Sequence, residues 1–389
     1  MKTKNNLPPQ ENARILILSL RHIRNLVYNY CLFEFEDLIS EIDSVDLVVP
    51  PQYNLSSQVI TKIAKGGARI NKNFNYINPS FTSFKLEKEY DLFLVILEDA
   101  RHFLPINFIK NWRNKCKKTV CYLVETWDGD LEKFKYYLPF FQDFDYIYSG
   151  TACITEQLAN IIGRPCIYLP TGVDAIKFCP QKPFSERFID VCSIGRRSTI
   201  THEALLNLAA EKEFFYSYDT FAVSGSKLIE PSHPQGHRRM MANLLKNSRY
   251  FIANYAKADL PDTIKTQQEI GYRFFEGAAA GAVMIGCPPN LQLFNQYFDW
   301  QDAVIPIPFD APNIADIISE LDAQSDRLAK ISRDNIINSL LKHDWVYRWQ
   351  DILTQVGLEP TSAMSSRQAY LQELAQAQSL NYPSASSIA

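Results

Sequence analysis

The 389-residue sequence predicts an α/β protein made of two doubly wound domains. Three observations carry that expectation. The chain is longer than one hydrophobic core usually supports. Short, continuously apolar runs rich in β-branched and aromatic residues alternate with stretches of helical period along most of its length. Strands buried on both faces read this way, and the alternation implies parallel sheets with crossover helices on both sides. Near the middle, Leu169-Pro-Thr-Gly-Val-Asp-Ala-Ile-Lys-Phe-Cys-Pro180, with Pro183 after it, is too dense in proline and glycine for regular structure and suits a connector.

Taken in order, strands are expected at 15–19, 45–49, 68–70, 92–97, 119–124, 146–148 and 166–169. Helices are expected between many of them, at 24–42, 104–114, 131–141 and 154–162. A second series follows, with strands at 189–194, 214–218, 250–253, 282–285 and 304–307. Helices at 201–212, 236–247, 273–280 and 313–321 separate these, and helices at 325–341 and 344–356 close the chain. The last residues are rich in Ser, Ala and Gln, with one amphipathic helix over 366–378. The expected organisation is a flexible start (1–12), an N-terminal domain (13–170), a linker (171–187), a C-terminal domain (188–342), and a closing helix with tail (343–389). Two Rossmann-like domains would thus face each other across a cleft, followed by C-terminal helices.

The formal net charge of -3 gives no electrostatic reason to expect nucleic acid or an anionic membrane as the main partner. Apolar stretches fall well short of the roughly 20 residues a spanning helix needs, which leaves peripheral membrane contact as the one membrane role open. The first twelve residues are polar and lack a signal-peptide core. The eight cysteines are scattered and never form Cys-x-x-Cys, and the histidines show no ligand spacing. A reducing, cytoplasmic setting without a structural metal is therefore expected.

Four segments could carry chemistry. In Gly271-Tyr-Arg-Phe-Phe-Glu-Gly-Ala-Ala-Ala-Gly281 a helix should start at Gly271 and Tyr272, where free backbone N–H groups and the dipole favour a phosphate. Arg273 and Glu276 share one side of that helix; they form either a ribose-and-phosphate site or a surface ion pair. In Ile194-Gly-Arg-Arg197, Gly195 follows a strand and lets backbone approach a ligand, while Arg196 and Arg197 could grip phosphate oxygens or simply face solvent. The Gly-x-Gly-x-x-Gly dinucleotide fingerprint is absent. In Ser19-Leu-Arg-His-Ile-Arg-Asn25, His22 sits at the carboxyl end of the first strand as a candidate base or orienting donor. In Glu125-Thr-Trp-Asp-Gly-Asp130, Glu125 is a second candidate base, and Asp128 or Asp130 is expected to cap the following helix. His233–Arg239 and Tyr250–Lys257 are weaker candidates for polar groups near phosphates.

Jointly these residues resemble the GT-B glycosyltransferases, specifically the glycosyl transferases group 1 and CgeB-like families. Leu169-Pro-Thr-Gly-Val-Asp174 with Phe178 and Pro180 is similar to their linker. Ile194-Gly-Arg-Arg197 resembles their Gly-Arg loop, and Tyr272-Arg-Phe-Phe-Glu-Gly-Ala-Ala-Ala-Gly281 their donor helix. His343-Asp-Trp-Val-Tyr-Arg348 resembles their closing helix.

The resemblance implies a nucleoside-diphosphate-sugar donor, with Glu276 on its ribose. Gly271, Tyr272, Arg273, Gly195, Arg196 and Arg197 would surround the diphosphate. It also implies transfer to a hydroxyl acceptor, of sugar, lipid-linked, small-molecule or protein type, with no metal and no cofactor. Where retaining enzymes carry Glu-x7-Glu, this chain has only six residues between Glu269 and Glu276, which leaves Glu269 without an implied role. Two alternatives share the fold: a nucleotide-sugar 2-epimerase, and a nucleotide-sugar-binding or surface-assembly protein without turnover.

Overall fold

The computed structural model describes residues 10–219 and 233–380. The chain divides into two compact units, Met1–Thr171 with Arg348–Met364, and Gly172–Tyr347 with Ser365–Ala389.

The first unit holds β1 (Ile15–Leu18), β2 (Val45–Val48), β3 (Phe84–Lys85), β4 (Tyr90–Leu97), β5 (Ile109–Lys110), β6 (Cys116–Leu123), β7 (Tyr146–Ser149) and β8 (Cys166–Tyr168). Six of them form a sheet in the order β2-β1-β4-β6-β7-β8, with every pairing parallel. β3 and β5 pair separately. The second unit holds β9 (Ile189–Ser193), β10 (Tyr216–Tyr218), β11 (Ser248–Ile252), β12 (Val283–Gly286) and β13 (Ile305–Pro306). Its sheet runs β10-β9-β11-β12-β13, again all parallel. In each sheet the strand order reverses once, between β1 and β4 and between β9 and β11. Carboxyl ends of strands at such a reversal open a crevice, which is where α/β sheets bind ligands.

The central strands are continuously apolar because both faces are covered: Ile15, Leu16, Ile17 and Leu18 are all fully buried. The many aromatics fill cores. Phe93, Trp112 and Phe144 pack with ring centroids 4.9 to 6.2 Å apart in the first unit. In the second, Val191, Tyr250, Ile252, Val283 and Ile285 form the layer beneath the helices.

Four expected elements differ. Residues 68–70 are the turn that follows helix Leu55–Gly67, not a strand; the Ala68 N–H donates to the Ala64 carbonyl at 2.9 Å, and Ile70 is exposed. A run of three residues is too short for its period to separate strand from helix end. The 104–114 helix breaks into a 3-10 turn (Leu104–Phe108), β5 and a single helical turn (Trp112–Lys115), with Asn111 left-handed at φ 56° between them. The 131–141 helix is Asp128–Phe134 followed by the 3-10 turn Leu138–Asp143, whose Pro139 cannot continue an α-helix. Asp128 and Asp130 therefore lie in the first turn, where carboxylates suit the dipole, and Trp127 holds the cap position. The C-terminal helix is longer than expected, Ser362–Leu380.

Candidate functional site

One cluster of charged residues in the second unit sits where β9 and β11 end. After β9 the chain turns at Gly195, whose φ of +83° is left-handed and favours glycine. A Cβ there would also approach the Arg273 guanidinium at 3.2 Å. The Gly195 N–H donates to both Asp219 carboxylate oxygens at 3.0 Å. Arg197 pairs with the same carboxylate and donates to the Asp219 carbonyl at 2.6 Å, with its guanidinium 5.6 Å from the Tyr218 ring. Arg196 is half exposed and pairs with Asp259 at 3.0 Å. Ser198 caps helix Thr199–Glu211 by accepting from the Thr201 N–H, which fixes where this loop ends. A small recess at the reversal is lined by Arg197, His202, Tyr216, Ile252, Asn254 and Phe309.

Helix Tyr272–Ala279 starts beside this loop. Gly271 is its N-cap and makes no side-chain cap, and the Phe274 N–H donates back to the Gly271 carbonyl at 3.3 Å. A Cβ on Gly271 would come within 3.3 Å of the Asn254 carbonyl, which shows how closely the helix start approaches the end of β11. Gly277 seats the helix on the sheet, since a Cβ there would fall 2.7 Å from the Phe251 ring and 2.9 Å from the Met284 sulfur.

Arg273 and Glu276 do pair, with Nη1 2.5 Å from Oε2, but this is no surface pair: Glu276 is only 2% exposed. Its other oxygen accepts from Arg238, which is buried on helix Pro234–Lys246 with its guanidinium 4.9 Å from the Phe178 ring. Arg273 Nε donates to the Ile194 carbonyl at 3.2 Å, tying the helix to the Gly195 loop. Burial alone would raise the Glu276 carboxyl, but Arg273 and Arg238 outweigh it and hold the group below the usual carboxylate range. His237, half-buried, is held below the ordinary histidine range, first by burial and then by Arg238 and Arg273. Glu269 is buried in the preceding loop and accepts from the Gln267 amide at 2.9 Å.

The structure thus brings Gly195, Arg196, Arg197, Gly271, Tyr272, Arg273 and Glu276 to the carboxyl end of one sheet. Arg238 and Asp219 belong with them; Arg238 lies in the weaker candidate segment His233–Arg239, and Asp219 was not expected from the sequence. Arg238 lies 38 residues from its partner Glu276, beyond any helical spacing rule. Asp219 carries the usual signal of a carboxylate directly after a strand, β10.

In the first unit, His22 sits half-buried in the turn after β1. Arg21 turns inward to Glu36 (3.1 Å) and Asp37 (2.6 Å), while Arg24 pairs with Glu98 at 2.6 Å. Glu125, also half-buried, is anchored by its N–H to the Glu98 carbonyl at 2.7 Å. Glu98, Asp99 and His102 place ligand-type atoms within 4.8 Å of one another. Arg24 already pairs with Glu98, and Arg101 pairs with Asp99 at 2.5 Å, so arginines stand where a cation would. Burial pushes His102 down to about 3 despite Asp99, which leaves it neutral. No helix among the described residues is long and apolar enough to cross a membrane.

Two all-parallel, doubly wound sheets joined by a proline-rich segment define a class: the fold is that of the GT-B glycosyltransferases. Sucrose-phosphate synthase from Thermosynechococcus elongatus has a TM-score of 0.50 to this chain, at 9% identity over 88% of this chain and 98% of its own. The Anabaena protein HepE, solved in complex with UDP-glucose, has a TM-score of 0.49 at 11% identity, covering 88% of this chain and 99% of its own. A glycosyltransferase from Rickettsia africae has a TM-score of 0.48 at 13% identity, covering 89% and 98%. Residues 196–354 match the family described as glycosyl transferase-like. That stretch begins at Arg196 and contains Arg238, Arg273 and Glu276, so the resemblance to GT-B glycosyltransferases is borne out. No curated protein matches the sequence.

Proposed function

We propose that this protein transfers a hexose-type sugar from a nucleoside-diphosphate-sugar donor to a hydroxyl acceptor, and that the second unit binds the donor. The observation that carries this reading is the buried Arg238–Glu276–Arg273 cluster beside the Gly195 loop. A carboxylate has about four acceptor positions, and the two arginines use only part of them. Glu276, fixed in place by those arginines, takes the ribose hydroxyls on the remainder. Arg273 is one-third exposed, and together with Arg197, Arg196 and the N–H groups of Gly271 and Tyr272 it takes the diphosphate.

The same groups stabilise charge on the departing nucleoside diphosphate, so we propose that transfer needs no divalent metal and no cofactor. His22 and Glu125 are the residues we propose on the acceptor side, as orienting donor and general base.

The test is incubation with UDP-, GDP-, ADP- and TDP-sugars and a panel of hydroxyl acceptors, with products read by mass spectrometry. Nucleoside diphosphate released together with a glycosylated acceptor, unchanged by EDTA, is the expected result. A 2-epimerised donor formed without acceptor would replace this reading with that of an epimerase. Donor binding without turnover would make the protein a nucleotide-sugar-binding protein.

A further inference from the structure

Helix Leu55–Gly67 of the first unit is amphipathic in the wrong sense for a protein interior. Asn54 fixes its start by accepting from the Ser57 N–H at 2.8 Å. Helical spacing then places Leu55, Val59 and Ile63 on one face. That face looks outward: the three are 80%, 54% and 57% exposed, while Ser57 and Ala64 take the buried side. Ile70, in the turn after the helix, is 90% exposed. Scattered exposed leucines or isoleucines are ordinary on any surface, but an apolar helical face turned to solvent marks a contact surface.

The surrounding charge is equally one-sided. Between Asp46 and Glu87 there is no acidic residue, whereas Lys62, Lys65, Arg69, Lys72 and Lys85 all lie there. Lys62 shares the exposed helical face, and Arg69 and Lys72 are exposed just beyond it. The net charge of -3 for the whole chain conceals this local excess.

We propose that this face docks on an anionic lipid bilayer. Leu55, Val59 and Ile63 would enter the boundary between headgroups and acyl chains, while Lys62, Arg69 and Lys72 meet lipid phosphates. A basic amphipathic helix too short to span lies in the plane of the interface in this way. The cations decide between a bilayer and a protein partner. Protein–protein interface cores are depleted in lysine and rely on aromatic residues and arginine, whereas lysine dominates here.

The experiment is flotation of the full-length protein with vesicles of phosphatidylcholine alone, and with an equal mixture of phosphatidylcholine and phosphatidylglycerol. The protein is expected to float with the mixed vesicles, to stay down with the neutral ones, and to be released by high salt. Val59→Glu with Ile63→Glu should abolish flotation. Lys62→Gln with Arg69→Gln should weaken it by about five-fold for each cation removed. Because these side chains are exposed, the variants should keep the parent melting temperature, which separates lost docking from lost folding. Failure to float with either vesicle, or unchanged flotation of the Val59/Ile63 variant, would overturn the proposal. So would a concentration-dependent dimer in sedimentation that the same variant dissolves, since the face would then bind a second copy.

Discussion

Glu276 is a fully buried carboxylate held by two guanidinium groups, and its energetics follow from that number. Removing one charge from a buried cluster leaves its partners uncompensated, at a cost of about 3–5 kcal/mol. Glu276→Gln is therefore expected to lower unfolding stability by that order, and a urea titration measures it. Donor affinity in such a variant should be read only at temperatures where it is folded. The folded-state carboxyl lies below its ordinary value, so its stabilising contribution is present above that value and is lost as pH falls through the folded one. Glu36 has the opposite sign. Burial pushes it up to about 7 despite Arg21, while it accepts from Ser19 Oγ at 2.5 Å. Stability associated with Glu36 is full below its ordinary value of 4.5 and declines as pH rises through about 7. Glu36→Gln should flatten that decline, which melting temperatures measured from pH 4 upward, in steps of about one unit, would show.

At the scale of elements, β12 and the end of β11 lie so close together that glycine becomes a requirement. A Cβ on Gly286 would lie 1.9 Å from the Ala253 carbonyl oxygen, backbone that cannot swing aside. Gly286→Ala is expected to cost about 3 kcal/mol or more, or to leave no soluble protein; a loss under about 1 kcal/mol by denaturation would contradict this packing. Elements of this kind were legible where the signal is local. The central strands were readable because both faces are covered, and helix Tyr272–Ala279 because Gly271 and Gly281 bracket a small-residue run. The Arg273–Glu276 spacing was likewise readable, but its burial was not, because Arg238 reaches Glu276 from another helix. Helix Leu55–Gly67 was not expected from the sequence although Leu55, Val59 and Ile63 carry helical spacing, and that this apolar face is exposed follows only from the structure.

Across the whole molecule, each unit is a parallel sheet with its own strand-order reversal, and the chain passes between the units three times, the last two near its end. Within the first unit, Trp349 Nε1 donates to Asp43 at 3.1 Å and Thr361 Oγ1 to the Ile42 carbonyl at 2.5 Å. Within the second, Arg367 of helix Ser362–Leu380 bridges Asp174 and Asp344, each at 2.7 Å. Burial raises the Asp344 carboxyl even against Arg367, which marks it as a group that depends on this partner. Arg367→Met should destabilise the second unit by about 3–5 kcal/mol, seen as an earlier unfolding transition in calorimetry.

The central claim, that the second unit binds a nucleoside-diphosphate sugar through Arg273, Arg197 and Glu276, is tested most directly by calorimetric titration of the intact protein with UDP-, GDP-, ADP- and TDP-sugars. One of these should bind without added metal, and Arg273→Lys should weaken it at least ten-fold, because lysine loses the planar fork that grips phosphate and carboxylate together. Absence of binding by every donor, or binding that Arg273→Lys leaves unchanged, would contradict it.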